Sequence, residues 1–467
     1  MYGINANSRK GGTVLEEMIF TLAQEKKYVE LRRMLSEMNP ADIAEIMNEA
    51  PTDDLLPIIF RLLPKELASE VFVELDSDMQ QSLIEAFSDI ELKEVLDELF
   101  LDDTVDIVDE MPATVAKRIL KHTDAKTRKQ INQLLAYPDD SAGSIMTTEY
   151  IALRKSLTVA EAFEKIRKEG VDAKDLYTCY VVDRKRELGG YVTVKDLLLS
   201  EQDTLISDIL EENVIFATTH EDKEEVADKF QKYDLLVMPV VDKENRLVGI
   251  VTVDDAIDVL QEEATEDIEK MAAILPSDKS YFKTGVFSTF KARIPWLMLL
   301  MLSATVTGAI ISSFEAKLQI FPALIAFIPM LMDTAGNSGS QSSVTVIRSI
   351  SLGDIEFRDI FRVLWKEFRV SLACSTALSV VNFAKMWLID YWLLGTFDSG
   401  KQFLEITVVC LTLWFTVIVA KIVGSALPIV AKKIGFDPAV MASPLITTTV
   451  DAISLIIYFS VAMMLLY

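Results

Sequence analysis

Asp451 stands in the segment SPLITTTVDAISLIIYF, residues 443–459, whose other side chains suit hydrocarbon. A carboxylate at the centre of a membrane helix costs at least a few kcal/mol on insertion scales, so it marks function by default. Pro444, Thr447, Thr448, Asp451 and Ser454 fall on one helical face. A second apolar stretch, FIPMLMDTAGNSGSQSSVTVIRS, puts Asp333, Asn337, Ser340 and Gln341 on one face as well. Gly336 and Gly339 there allow close backbone approach. Pro329 and Pro444 are expected to free carbonyls at membrane depth, which is tolerable only beside protein or a wet cavity. Hydroxyls and amides in such positions often only join helices. The two aspartates differ, because no Lys or Arg offers an obvious salt bridge at matching depth; Lys385 and Lys421 are expected to snorkel to span ends. An unpaired carboxylate in a polar stripe favours a cation path.

A second set of carboxylates lies on VDDAIDVLQEEATEDIEKMAAI, residues 253–274, read as one long connecting helix. Asp255, Asp258, Glu262, Glu266 and Glu269 form a continuous acidic face, and Ala256, Leu260, Ala264, Ile268 and Met271 are expected to form an apolar stripe. Carboxylates about 5 Å apart repel by roughly 3 kcal/mol at an effective dielectric of about 20. Packing that face against other acidic surfaces therefore requires counter-cations, and divalent ones suit it best.

The elements that must position these groups are legible in outline. Five apolar segments, near 294–314, 318–347, 362–389, 402–430 and 438–466, are long enough to span a bilayer as helices. Basic residues alternate between the loops as the positive-inside rule requires, with the N-terminus inside and the C-terminus outside. The chain carries a formal net charge of −25, yet residues 294–467 hold 11 acidic and 11 basic side chains. The whole imbalance is thus in the front, which should repel nucleic acid and attract cations. Three scattered cysteines and two distant histidines provide neither a disulfide framework nor a histidine zinc site. The N-terminal stretch lacks the apolar core of a signal peptide, so residues 1–293 are expected in the cytosol.

Within the front, YVVDRKRELGGYVTVKDLL (180–198) returns as PVVDKENRLVGIVTVDDAI (239–257), pairing Asp183 with Asp242, Gly190 with Gly249, Thr193 with Thr252 and Asp196 with Asp255. Each copy reads as strand, turn, strand and helix, preceded by a helix at Thr158–Lys168 or Glu221–Lys232. The tandem resembles the cystathionine-β-synthase-type (CBS) regulatory pair. Residues 14–137 read as short helices stacked in a superhelical array, with breaks at MNPAD, LLPKE, LDSDM and EMPAT. The expected layout is a multidomain membrane protein. It comprises an all-α acidic helical N-domain (1–137), an α/β tandem CBS pair (138–204 and 205–262), a connecting or plug helix (253–282) and a five-helix transmembrane domain (283–467).

Over essentially its whole length the chain resembles the MgtE family of magnesium channels and transporters. The motifs that carry the likeness are GNSGSQ (336–341), DPAVMASPLITTTVD (437–451) and VTVDDAIDVLQEEATEDI (251–268), in the family's order. The resemblance implies a homodimer in a cell membrane with one pore at its two-fold axis. Asp451 would be the pore carboxylate, with Thr447 nearby, Asn337 and Gln341 as lining residues and Asp333 beside them. It implies cytosolic Mg²⁺ sensors at Glu70, Asp102 and Asp106; at Asp222, Glu224 and Asp234; and at Asp255, Asp258, Glu263, Glu266 and Asp267. The implied mechanism is feedback, in which high internal Mg²⁺ joins the acidic surfaces and holds the connecting helices as a plug under the pore. Members that bind ATP use an aromatic where this chain has Leu235, an arginine where it has Lys195 and a tyrosine at Thr178. These exchanges weaken stacking and phosphate contacts, leaving Asp196 and Lys195 at a poor nucleotide position. A passive Mg²⁺ channel is thus the leading expectation, with a broader divalent or ion-coupled carrier, or a non-conducting metal sensor, as alternatives. An enzyme is not expected, since H-E-x-x-H, P-loop and nucleophile-elbow motifs are all lacking.

Overall fold

The computed structural model describes residues 9–50, 53–170, 173–277, 284–318, 322–393, 401–441 and 443–466. The chain divides into two compact units, Met1–Leu260 and Gln261–Tyr467.

The first unit begins with short amphipathic helices: α1 (Arg9–Gln24), α2 (Tyr28–Leu35), α3 (Pro40–Asn48), α4 (Leu56–Phe60), α5 (Lys65–Val73), α6 (Ser77–Ala86), α7 (Asp89–Leu96), α8 (Leu101–Glu110), α9 (Ala113–His122) and α10 (Ala125–Leu134). Their starts follow capping chemistry. Asn39 accepts from Ala41 N, Ser88 and Glu91 form a reciprocal capping box, and Asp124 accepts from Lys126 N and Thr127 N. Pro40 occupies the first helical position as expected, whereas Pro64 and Pro112 stand one place earlier, at the N-cap. Neighbouring helices close over a shared apolar interior that includes Ile43, Met47, Phe60, Phe72 and Leu83.

Two three-stranded sheets follow. In the first, β1 (Ala152–Leu153) runs parallel to β2 (Thr178–Val182), which pairs antiparallel with β3 (Leu188–Thr193); α11 (Val159–Glu169) and α12 (Val194–Leu199) complete the copy. After α13 (Ile206–Ile209) the pattern repeats with β4 (Ala217–Thr218), α14 (Lys223–Tyr233), β5 (Val237–Val241) and β6 (Leu247–Thr252). Both hairpins carry a register irregularity at the matching place, Val181/Val182 and Val240/Val241. The repeated residues have matching structural duties. Asp183 and Asp242 each accept turn amides, while Thr193–Asp196 and Thr252–Asp255 each form a hydroxyl–carboxylate cap at the start of the following helix. The sheets interlock, since Thr147 bridges to Ile250 and Tyr191 to Glu211.

The helix α15 (Val253–Met271) runs on from β6. The expected apolar stripe holds at its two ends and fails between them, with Met271 packed on Ile347 and Ala439. Ala256 is buried and Leu260 half-buried, but Ala264 and Ile268 are exposed.

In the second unit the long helices are α16 (Val286–Leu318), α18 (Ile328–Ser351), α19 (Ile360–Lys385), α20 (Gln402–Lys433) and α21 (Ser443–Leu466), with a one-turn α17 (Pro322–Ile325) before α18. A π-helical continuation, Met386–Leu393, extends α19. Among the described residues four helical stretches are long and apolar enough to cross a membrane: Val286–Phe314, Phe357–Leu393, Gln402–Lys433 and Pro444–Leu466. The segment expected at 318–347 is not one helix. It divides into α17 and α18, and Pro329 stands in the first turn of α18, so it begins that helix and frees no carbonyl inside it. Pro444 likewise falls in the first turn of α21. Helix α20 packs on α18, α19 and α21, and α16 packs on α21.

Candidate cation sites

In the second unit, glycines set the spacing of the central helices. A Cβ at Gly336 would meet the Thr447 methyl at 2.9 Å, and one at Gly339 would lie 2.9 Å from Ile446 Cγ2 and 3.2 Å from the Ala420 carbonyl oxygen. α18 is thereby drawn onto both α20 and α21. Thr447 and Asp451 are one turn apart on α21, and Asp451 is half-buried with its Oδ1 enclosed and lacking a hydrogen-bond partner. Asp333 on α18 is close enough for the two carboxylates to repel. Asp333, Asn337 and Gln341 lie on an exposed edge of α18. The expected polar residues of the two helices thus flank one line of contact.

Lys421 corrects an expectation. It does not snorkel: it is 6% exposed, and its Nζ donates to Ser342 Oγ at 3.3 Å. The Ser342 hydroxyl in turn donates to Glu367 Oε2 at 2.7 Å. The side chain reaches toward α18 because Gly339 and Gly424 bring α18 and α20 almost into backbone contact. Lys385 pairs instead with Asp390 at 3.0 Å. Among the described residues neither lysine pairs with Asp451 or Asp333.

In the first unit, α8 carries Asp102, Asp103 and Asp106 toward the start of α15. Lys174 Nζ pairs with Asp102 Oδ2 at 2.9 Å and Asp103 Oδ1 at 3.3 Å. Asp102 is 6% exposed, and its Oδ1 is enclosed with no hydrogen-bond partner. Burial, then Asp102, Asp255, Asp103 and Glu110, push the Asp106 carboxyl up to about 8. Burial raises Asp255 to about 7 against the lowering bond from Thr252, with Asp102 adding to the rise. Burial and Asp102 raise Asp103 to about 6. Burial pulls the Lys174 ammonium down, but Asp102, Asp103 and Asp255 more than offset it. This is a site short of positive charge. Among the described residues no three acidic, imidazole or thiol groups converge closely enough to hold a metal by themselves.

The remaining expected sensors are dispersed. Glu70 is on the exposed side of α5. Asp222 caps the N-terminus of α14 by accepting from Glu224 N at 2.8 Å, while Asp234 ends that helix in a left-handed conformation. The eleven residues of α14 lie between those two aspartates, which are thus about 18 Å apart along the helix. Burial and Asp254 raise Asp258. Glu263 is half-buried. Within the second unit Glu266 pairs with Lys270 at 2.6 Å, Lys270 pairs with Asp437 at 2.7 Å, and Asp267 accepts from Ser351 Oγ at 3.3 Å. Burial, then Asp437, raise Asp267. At the nucleotide position Asp196 is engaged by the Thr193 hydroxyl, Lys195 is exposed, and Thr178 and Leu235 are half-buried.

Sequence reasoning passed over Asp103, Lys174 and Asp437, and misread Lys421. A lysine amid IVAKIVG was a visible signal for the last. Nothing local marked Lys174, because its partners are distant in the chain.

A family profile described as a divalent cation transporter matches residues 328–461, the MgtE intracellular N domain matches 29–140, and the CBS domain matches 142–202 and 206–262. Fold, carboxylate placement and these matches define a membrane transporter of divalent cations with a CBS pair. The magnesium transporter MgtE of Thermus thermophilus is 37% identical over 440 residues, covering 93% of this chain and 95% of that protein. The magnesium transporter MgtE of Bacillus subtilis is 33% identical, covering 95% and 96%. A crystal structure of the cytosolic domain of the Mg²⁺ channel MgtE in complex with ATP matches with a TM-score of 0.50 at 36% identity, over 52% of this chain and 99% of that one. The chain belongs to the MgtE family.

Proposed function

We propose that the protein is a homodimeric Mg²⁺ channel of the cell membrane, passing the ion inward passively and closed by cytosolic Mg²⁺. The observation that carries this reading is Asp451, a half-buried carboxylate with an unpartnered oxygen, acted on by Asp333 and one turn along α21 from Thr447, which meets Gly336 of α18. Mg²⁺ surrenders its waters reluctantly and prefers octahedral oxygen shells. Two copies of Asp451, with Thr447, Asn337 and Gln341, would grip the ion through its waters. In this reading α18 is the fifth span. It is 24 residues and about 36 Å long, and the polar face that lowers its hydropathy turns to the ion and the partner subunit. The N-terminus lies in the cytosol and the C-terminus outside, following the loop charges.

Gating follows from the acidic surfaces. Asp106 and Asp255 have raised carboxyl pKa values and Asp102 is buried, a shortage of positive charge that a divalent ion would relieve. Glu70, Asp222, Glu224, Asp234, Asp258, Glu263, Glu266 and Asp267 supply further oxygen ligands across the domains and α15, which acts as the plug. Ion affinity that differs between closed and open arrangements supplies the energy. ATP plays a weak part at most, since Asp196 is committed to its helix cap.

The test is Mg²⁺ flux into liposomes, with and without a proton or sodium gradient, for wild type, Asp451→Ala and Asp451→Asn. Gradient-independent flux in wild type that falls at least about tenfold in both variants is expected. Unchanged flux in both variants would sink the conducting reading.

A further inference from the structure

Lys174 lies where the helical array meets the CBS pair. Its backbone N–H donates to the carbonyl of Glu149 at 3.0 Å, and Glu149 Oε2 accepts from Leu101 N, at the first turn of α8, at 3.1 Å. One residue thus fixes both the start of α8 and the strand-side segment carrying Lys174. The ammonium sits 2.9 Å from Asp102 Oδ2, 3.3 Å from Asp103 Oδ1 and 5.1 Å from the centre of the Phe100 ring, with the lysine side chain 13% exposed. Asp255, from the start of α15, also acts on it.

We infer that Lys174 is a tethered cation of this joint: it holds a position that a divalent ion would otherwise fill among Asp102, Asp103 and Asp255, so the joint closes with less metal. Three features carry the inference. The charge is buried, so it cannot be replaced by bulk salt. The segment bearing it is pinned by Glu149 to the helix bearing its partners. Asp102 keeps an enclosed oxygen without a hydrogen-bond partner, so the lysine leaves part of the cluster's negative charge uncompensated. A fixed ammonium is always present, whereas metal occupancy follows concentration, and Lys174 therefore sets how much of the joint's closure responds to metal. The metal-responsive part rests on the gating reading above.

The test is hydrogen exchange of α8 amides in the full-length protein, in EDTA and across a Mg²⁺ titration, for wild type, Lys174→Met and Lys174→Arg. Methionine keeps the apolar stem without the charge. Removing one member of a buried ion pair is strongly destabilising. Lys174→Met should thus exchange at least about tenfold faster than wild type without metal and return to wild-type protection with saturating Mg²⁺, while Lys174→Arg stays close to wild type throughout. A Lys174→Met protein with wild-type protection in EDTA and the same Mg²⁺ response overturns the role of Lys174 and leaves metal sensing standing. A Lys174→Met protein that stays unprotected at saturating Mg²⁺ while wild type responds shows a structural lysine and overturns the exchange of roles. No Mg²⁺ response in any of the three proteins overturns both.

Discussion

Gly339 on α18 and Gly424 on α20 meet backbone to backbone, and a Cβ on Gly424 would stand 2.2 Å from the Gly339 carbonyl oxygen. No side-chain rotation relieves such a clash, so Gly424→Ala must part the two helices. A cost of about 1–3 kcal/mol is expected from overpacking of this kind, read as a lower thermal midpoint in detergent and a loss of ion flux.

A milder case tests the same packing on the other side of α18. Gly336→Ala would crowd the Thr447 side chain, with its methyl the tight contact at 2.9 Å. Adding Thr447→Ser removes that methyl and keeps the hydroxyl. The double variant should recover most of the stability lost by Gly336→Ala alone, a coupling that a double-mutant cycle measures directly. Additive losses would mean that the two helices are not in contact here.

The chain from Lys421 through Ser342 to Glu367 supports a third prediction. Glu367→Gln takes the charge from the acceptor end of this chain, and a cost of about 1–3 kcal/mol is expected. Combining it with Lys421→Met removes both charges and should restore part of the thermal stability. A double variant no better than Glu367→Gln would break the link between them.

The joint at α8 should respond to pH with a defined sign. Asp106 and Asp255 titrate in the fold near 8 and 7, above the ordinary carboxylate value of 3.8, so the folded state binds more protons than the unfolded one. Their contribution is fully present below about pH 4 and is lost as pH rises through those folded values. Asp102, Asp103, Glu110, Asp254 and Lys174 are the charged groups that act on them. In metal-free buffer the full-length protein should lose about 4 kcal/mol in its cytosolic-unit transition between about pH 6 and about pH 8.5. Mg²⁺ should blunt the fall, because the ion displaces protons on binding, and Asp106→Asn should reduce it. Calorimetry that shows stability rising over this range would refute the placement of these groups.

Much of the architecture was written in local pattern. The CBS repeat could be read because Asp183 and Asp242, or Thr193 and Thr252, do the same hydrogen-bonding job within a few residues of themselves. The glycines of α18 were recognisable as close-approach positions because a missing Cβ has that consequence in any bundle. Misreadings came where a partner far along the chain decides. Ala264 and Ile268 fit an apolar stripe by spacing, yet neither is covered in the folded chain.

The sequence by itself determined the order of domains, the apolar helices and the two aspartates in otherwise apolar company, since periodicity and composition are properties of neighbours. Tertiary structure alone decided which charges meet. It turned Lys421 inward to Ser342, set Lys174 between Asp102 and Asp103, and left Asp451 Oδ1 without a hydrogen-bond partner among the described residues. Coulomb energy depends on distance and burial, and neither is fixed until helices remote in sequence pack together.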